Sequence, residues 1–161
     1  LEILEAHLQL AADHDQMVLV HTPHLEDKRK GTRLIMDAIR NHGVIDPNRA
    51  CIMGWSYGGH AAARGAQRDP NVWKCAIAGA GVYDMPLMNK WDARNLGRFN
   101  SGFQATSEDP EGISSARNTD GPWAPILIAA AKRDARIPME QSDTLVDNLK
   151  KSGKVEGKDF R

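Results

Sequence analysis

The run Cys51-Ile52-Met53-Gly54-Trp55-Ser56-Tyr57-Gly58-Gly59, continuing into Ala61-Ala62-Ala63-Arg64-Gly65-Ala66, decides how the rest of the chain is read. A short apolar run, a sharp Gly/Ser turn and a stretch of small residues make the sequence of a strand, a turn and a helix. In that setting a G-x-S-x-G pattern predicts a nucleophile elbow, which lifts a serine out at the apex of a cramped turn. The cramping predicts that Gly54 and Gly58 must be nearly free of side chain, and that Gly59 lets the following helix approach closely.

Outward from this turn, the chain alternates. Residues 1–14 place Leu1, Ile3, Leu4, Leu8, Ala11 and Ala12 at helical spacing, and Met17-Val18-Leu19-Val20 has the length and Val content of a strand buried on both faces. Lys28 to Asn41 reads as a helix with Leu34, Ile35, Ala38 and Ile39 on one side and Gly43 just past its end. Its basic start, Lys28, Arg29, Lys30 and Arg33, reads as a solvated first turn. Asp46-Pro47-Asn48 is a turn. Beyond the serine helix, Val72–Ala78 and Pro125–Ile128 read as strands and Met139–Lys151 as a helix stopped by Gly153. Between Met85 and Asp120 periodicity is weak, which predicts a long irregular region with short helices near Pro86–Lys90 and Pro110–Ala116. The fold class expected is therefore α/β: a mostly parallel sheet with helices on both faces, and residues 1–161 forming one partial domain. In such sheets the site lies at the carboxyl ends of the strands.

Composition narrows the function classes. Of 161 residues, 41% are apolar and 26% charged, and the 21 basic residues balance the 21 acidic ones. That balance offers no handle for nucleic acid or an anionic membrane. The longest apolar stretch, Ala124 to Ala131, contains Pro125 and is too short to span a bilayer. Cys51 and Cys75 fall in predicted core strands and read as small hydrophobes without a disulfide, which inclines the compartment toward a reducing, cytoplasmic one. The chain starts at Leu1 and stops at Arg161, where a further strand could begin, so it reads as a piece of something longer.

Gly54-Trp55-Ser56-Tyr57-Gly58-Gly59, with Gly43-Val44-Ile45-Asp46-Pro47-Asn48-Arg49 before it, resembles the catalytic domain of the prolyl oligopeptidase family, serine peptidases of the α/β-hydrolase superfamily. Trp73-Lys74-Cys75-Ala76, Ala80-Gly81-Val82-Tyr83-Asp84, and Asp134-Ala135-Arg136-Ile137-Pro138 with Gln141-Ser142 extend the resemblance over residues 28 to 154. It implies Ser56 as the nucleophile, the Tyr57 N–H as an oxyanion-hole donor and Asp134 as the triad acid that orients an imidazole. Asp84 and Asp143 are rival carboxylates; a loop turn and an exposed helix position are the alternative readings for them. The substrate implied is a peptide or small ester, and no cofactor or metal is implied.

Three departures matter. The superfamily order is Ser, Asp, His, yet His7, His14, His21, His24, His42 and His60 all precede Asp134. His60 reads as a packing residue and His21 as the best internal substitute; the simpler expectation places the base outside this chain, leaving the chain alone weakly active or inactive. The base would then lie beyond Arg161; the partners this allows are the remainder of a longer protein or a homo-oligomer. Secondly, the family has another strand between the one resembling 17–20 and the elbow strand, and its absence would leave unpaired backbone and apolar surface. Thirdly, Ala130-Ala131 stands where the family has His-Gly; Ala is harmless there only if φ stays negative. His21 and His24 with Glu26 and Asp27 read as polar turn residues rather than a metal site. The alternative to an enzyme is a non-catalytic hydrolase-like module that binds or assembles. Trp91, Arg94 and Arg98 are candidates to line a substrate pocket, against packing and solvated-loop roles.

Overall fold

A computed structural model describes residues 2–18, 20, 34, 37, 38, 40–43, 46–97 and 109–161. The chain divides into two compact units, Leu1–Arg49 and Ala50–Arg161.

In the first unit, helix α1 (Glu2–Asp13) forms where the 3.6 spacing places it. Leu8 is buried, whereas Ile3 is exposed, so the apolar stripe is only partly used. Leu34, Asp37, Ala38, Arg40 and Asn41 are helical, and Gly43 follows with a φ of 77°, as a C′ glycine would. The strand expected over 17–20 is not seen among the described residues: Met17, Val18 and Val20 lie outside any strand, and Met17 is 94% exposed. An apolar run of four becomes a strand only beside a bonding neighbour, and no neighbour is specified by the run itself. The basic cluster 28–33, His21, His24, Glu26 and Asp27 lie outside the described residues.

In the second unit three parallel strands, β1 (Cys51–Trp55), β2 (Cys75–Gly79) and β3 (Ile126–Ala129), lie in the order β1-β2-β3. The register sets Cys51 beside Cys75, Met53 beside Ile77 and Trp55 beside Gly79, then Ala76 beside Ile126. Pairing also begins on the far side of β3: Ile126 bridges Phe160 in parallel, and the Ile128 N–H donates to the Arg161 carbonyl at 2.7 Å. Helices α2 (Tyr57–Arg68) and α4 (Glu140–Lys151) cover the face that carries Ala76, Ala78 and Ile126. Ala62, Ala63 and Ala66 let α2 sit close, and Leu145 and Leu149 of α4 fill the same cluster; burial of each leucine contributes roughly 1.5–3 kcal/mol. On the opposite face Met53, Trp55 and Leu127 stay 59%, 62% and 44% exposed. β1 is the edge of the described sheet.

Two expectations fail here. Cys51 and Cys75 are joined in a disulfide, because the parallel register places them side by side with Cα atoms 4.7 Å apart. The argument for a reducing compartment goes with it. The region after Met85 is also more ordered than its sequence suggests: helix α3 runs over Met85–Asn95, well beyond Lys90. Asp84 caps it by accepting from the Leu87 N–H at 2.9 Å, and Pro86 suits its first turn. Its buried positions are Met85, Met88 and Asp92; a carboxylate at a core position hides the helical period. The 110–116 stretch holds turns and the start of a single 3₁₀ turn, Ser115–Arg117.

Candidate active site

Ser56 occupies the one-residue turn between β1 and α2, with φ 57° and ψ −119°. A non-glycine residue at positive φ costs on the order of 1–3 kcal/mol and persists only where its surroundings enforce it. They do so here through glycine contacts. A Cβ built on Gly54 would run into the Gly58 carbonyl group, with the Gly58 Cα at 2.8 Å, and one on Gly59 would strike the Gly79 carbonyl oxygen, with the Gly81 Cα at 2.9 Å. The expectation for Gly58 is wrong, since a Cβ there meets nothing within 4 Å. What is crowded is the Gly58 main chain, and it is Gly54 that must stay bare against it. The Ser56 N–H donates to the Gly79 carbonyl at 2.9 Å, tying the turn to the end of β2.

Ser56 itself is exposed. The first hydrogen bond of α2 runs from the His60 N–H to the Ser56 carbonyl, which leaves the Tyr57 N–H among the helix's first four amides, the ones with no intrahelical acceptor. Such amides carry the positive end of the helix dipole and favour developing negative charge.

Asp134 lies in the loop after β3. Its Oδ1 accepts from the Arg136 N–H at 2.8 Å and the Ile137 N–H at 2.9 Å. The Ile137 amide, then the Arg136 amide, and then the Arg136 charge hold this carboxyl below its ordinary range against a smaller opposing effect of desolvation. Ala130 and Ala131 keep negative φ, so the missing glycine leaves the loop unstrained. The ends of β1 and β3 lie on one edge of the sheet with β2 between them.

The rival carboxylates are engaged elsewhere or exposed. Asp84 caps α3 with Oδ1 and takes the Arg117 Nε at 2.8 Å on Oδ2, while Asp143 is exposed in the first turn of α4. Among the described residues no imidazole bonds to Ser56 or Asp134. His60 is buried with Nδ1 2.9 Å from the Val82 carbonyl, and its ring stands 5.3 Å from that of Tyr57. Burial pulls its pKa below the ordinary value; the Val82 bond opposes this, and Arg64 adds to it. His60 therefore packs as a neutral ring. His7 bonds the Ile3 carbonyl of its own helix. No group of three or more His, Cys, Asp and Glu side chains that could hold a metal ion exists among the described residues, and none of their helices is long and apolar enough to cross a membrane.

Three supporting residues had no role assigned from sequence. Gln141, fully buried, accepts from the Tyr83 N–H at 2.8 Å and the Asp84 N–H at 2.7 Å and donates to the Asp84 carbonyl at 2.9 Å. It thereby pins the segment that carries Gly81 and Val82 against the serine helix. Tyr83 donates its hydroxyl to the Ala78 carbonyl at 2.9 Å, and burial pushes its pKa up to about 12. Asp92, also fully buried, pairs with both terminal nitrogens of Arg136, at 2.6 and 3.2 Å. Of the pocket candidates, Trp91 packs beside Val82, Met85, Met88 and Ile137, Arg94 is exposed, and Arg98 lies outside the described residues.

The sequence pattern of the prolyl oligopeptidase family matches residues 32–158. Dipeptidyl peptidase family member 2 of Caenorhabditis elegans is 30% identical over 122 residues, which is 74% of this chain but 14% of that protein. Among solved structures, an acylaminoacyl peptidase in complex with Z-Gly-Gly-Phe-chloromethyl ketone superposes with a TM-score of 0.66 at 23% identity, over 81% of this chain and 22% of that one. The Pyrococcus horikoshii acylaminoacyl peptidase gives 0.65 at 21%, over 77% and 21%, and puromycin hydrolase 0.63 at 20%, over 79% and 20%. At such identities the structural likeness establishes the fold, that of α/β-hydrolase peptidases. The family pattern takes in the serine turn, the capped helix α3 and the loop that carries Asp134, and this chain belongs to the prolyl oligopeptidase family.

Proposed function

We propose that this chain carries the nucleophile and the acid of a serine hydrolase that cleaves peptide or small ester bonds through an acyl-enzyme on Ser56. The observation that carries the reading is an exposed serine held at φ 57° between a parallel strand and a helix. In the forward step an imidazole base takes the hydroxyl proton as Oγ attacks the carbonyl. The Tyr57 N–H receives the developing oxyanion, a contribution on the order of 3 kcal/mol for one such donor. Asp134, held ionised by its two amides, orients the base and stabilises it once protonated. Protonation of the leaving group by the same imidazole then frees the amine or alcohol, and water hydrolyses the ester on Ser56.

We place the base, an imidazole, outside this chain, because no histidine follows Asp134 in the sequence and His60 is committed to Val82; the remainder of a longer protein or a second copy would supply it. The chain spans about 14% of its curated relative; with no imidazole bonded to Ser56 among the described residues, residues 1–161 alone should react weakly or not at all. A fluorophosphonate probe with adduct mapping tests this in two arms. A longer polypeptide that supplies the base should label at Ser56 and lose the label on Ser56→Ala, while residues 1–161 alone label little. An adduct elsewhere sinks the nucleophile assignment; full labelling and esterase turnover by residues 1–161 sink the external base.

A further inference from the structure

The least expected side chain in the second unit is Asp92, a carboxylate with no exposed surface in the middle of α3. Burying an unpaired carboxylate costs several kcal/mol, and a buried pair often adds little net stability over an apolar replacement. A group of that kind is best explained by the geometry it imposes. Its partner is the Arg136 guanidinium, which it grips through two nitrogens, a fork that fixes direction as well as distance. The same guanidinium lies 5.9 Å from the centre of the Trp91 ring, one residue before Asp92. The next residue along the loop, Ile137, is buried in the cluster of Val82, Met85 and Met88.

Arg136 and Ile137 are also the two residues whose main-chain N–H groups converge on Asp134 Oδ1. The side chains that anchor the loop and the amides that hold the acid thus belong to the same dipeptide. We propose that Asp92 is a positioning residue for Asp134: by clamping Arg136 from beneath, it aims the two amides that fix the acid's carboxylate. The inference rests on Asp134 being the triad acid only for its catalytic meaning; the clamp itself is a property of the acid loop.

The test uses the 161-residue chain with the neutral, equally sized Asp92→Asn, which leaves Arg136 free to reach water from its 43% exposed position. Carboxyl-carbon NMR follows the Asp134 titration, with Asp143 as control, and hydrogen exchange follows the Arg136 and Ile137 amides. The expected result is an Asp134 midpoint raised toward the ordinary aspartate value and exchange faster at those two amides by about tenfold or more, with Asp143 and the α4 amides unchanged. Arg136→Lys, which keeps the charge but not the fork, should fall between. If Asp92→Asn does not fold, the Asp92→Asn/Arg136→Gln pair, which leaves no unpaired charge, carries the comparison through the exchange of the two amides alone, since losing the Arg136 charge moves the Asp134 midpoint by itself. A folded variant whose Asp134 titration and two amides match the wild type overturns the proposal. Neither readout needs Ser56 to react, so a failure of fluorophosphonate labelling and a failure of the clamp are separate results.

Discussion

The two glycines that flank Ser56 look equivalent in a G-x-S-x-G pattern, and the structure makes them opposites. At Gly54 a methyl group would meet main-chain atoms of Gly58, its carbonyl group and its Cα. Main chain cannot rotate away as a side chain can, so Gly54→Ala belongs at the upper end of the overpacking range, about 3 kcal/mol. At Gly58 the added methyl meets nothing within 4 Å, and the residue sits in the first turn of α2 at negative φ. There alanine restricts the unfolded chain and favours the helix, a gain of up to ~1 kcal/mol. The predicted separation between the two variants is therefore about 4 kcal/mol, with opposite signs. Urea unfolding of each variant followed by circular dichroism measures it; in melting temperature, Gly54→Ala should fall by roughly 6–12 °C and Gly58→Ala rise by a few degrees at most. Equal effects at the two positions, or a Gly54→Ala variant within 1 kcal/mol of the wild type, would refute the claim that main-chain crowding at Gly58 enforces the serine turn.

Ser56→Gly should stabilise the chain by about 1 kcal/mol, by releasing the positive-φ strain, while abolishing any fluorophosphonate adduct; a destabilised variant would mean the turn is unstrained. His60 has a folded-state pKa below its unfolded value near 6.5, so the unfolded chain binds more protons as pH falls. Its contribution to stability should be complete above about pH 6.5 and be lost as pH drops toward the folded value. His60→Gln should flatten that part of the stability-pH curve, and an unchanged slope would show that the ring titrates freely. Cys51 and Cys75 are 24 residues apart in sequence, so reduction should lower stability by about 3 kcal/mol in the chain-entropy account. A Cys51→Ser/Cys75→Ser variant should ignore reductant, and alkylation of both thiols in the unreduced, unfolded chain would disprove the pairing.

What could be read from the sequence was local. Glycine spacing around Ser56, apolar runs at 51–55 and 126–128, and the cap and stop residues of the later helices each carry their signal within a few positions. What could not be read depends on which elements become neighbours. The disulfide follows from the register of β1 on β2, which no spacing between Cys51 and Cys75 reveals. The Met17–Val20 run has the composition of a strand, but composition supplies no partner. Helix α3 was hidden because Asp92 occupies a core position, and its reason for being there, Arg136, lies 44 residues further on. Gly58 was misjudged because the pattern marks a crowded residue without saying whether its side or its main chain is crowded.

The two halves of the candidate site are held by different forces, and that has consequences for how each can fail. The serine turn is held by steric exclusion: glycine against main chain at Gly54 and Gly59, with one amide bond to Gly79. Such contacts are insensitive to salt and pH and highly sensitive to a single added methyl group. The acid loop is held by charge: two amides on a carboxylate, and an arginine forked onto a buried aspartate. That arrangement tolerates changes of volume nearby but not the loss of the arginine, because Asp92, with no exposed surface, would be left buried and unpaired. Arg117 on Asp84 repeats the device at the cap of α3, the helix that carries Asp92. A substitution that disturbs Ser56 should therefore leave the Asp134 titration alone, and one that breaks the Asp92–Arg136 pair should leave the serine turn standing. The geometry between Ser56 and Asp134 is then set by the sheet that joins their two loops through β2, the strand both β1 and β3 pair with.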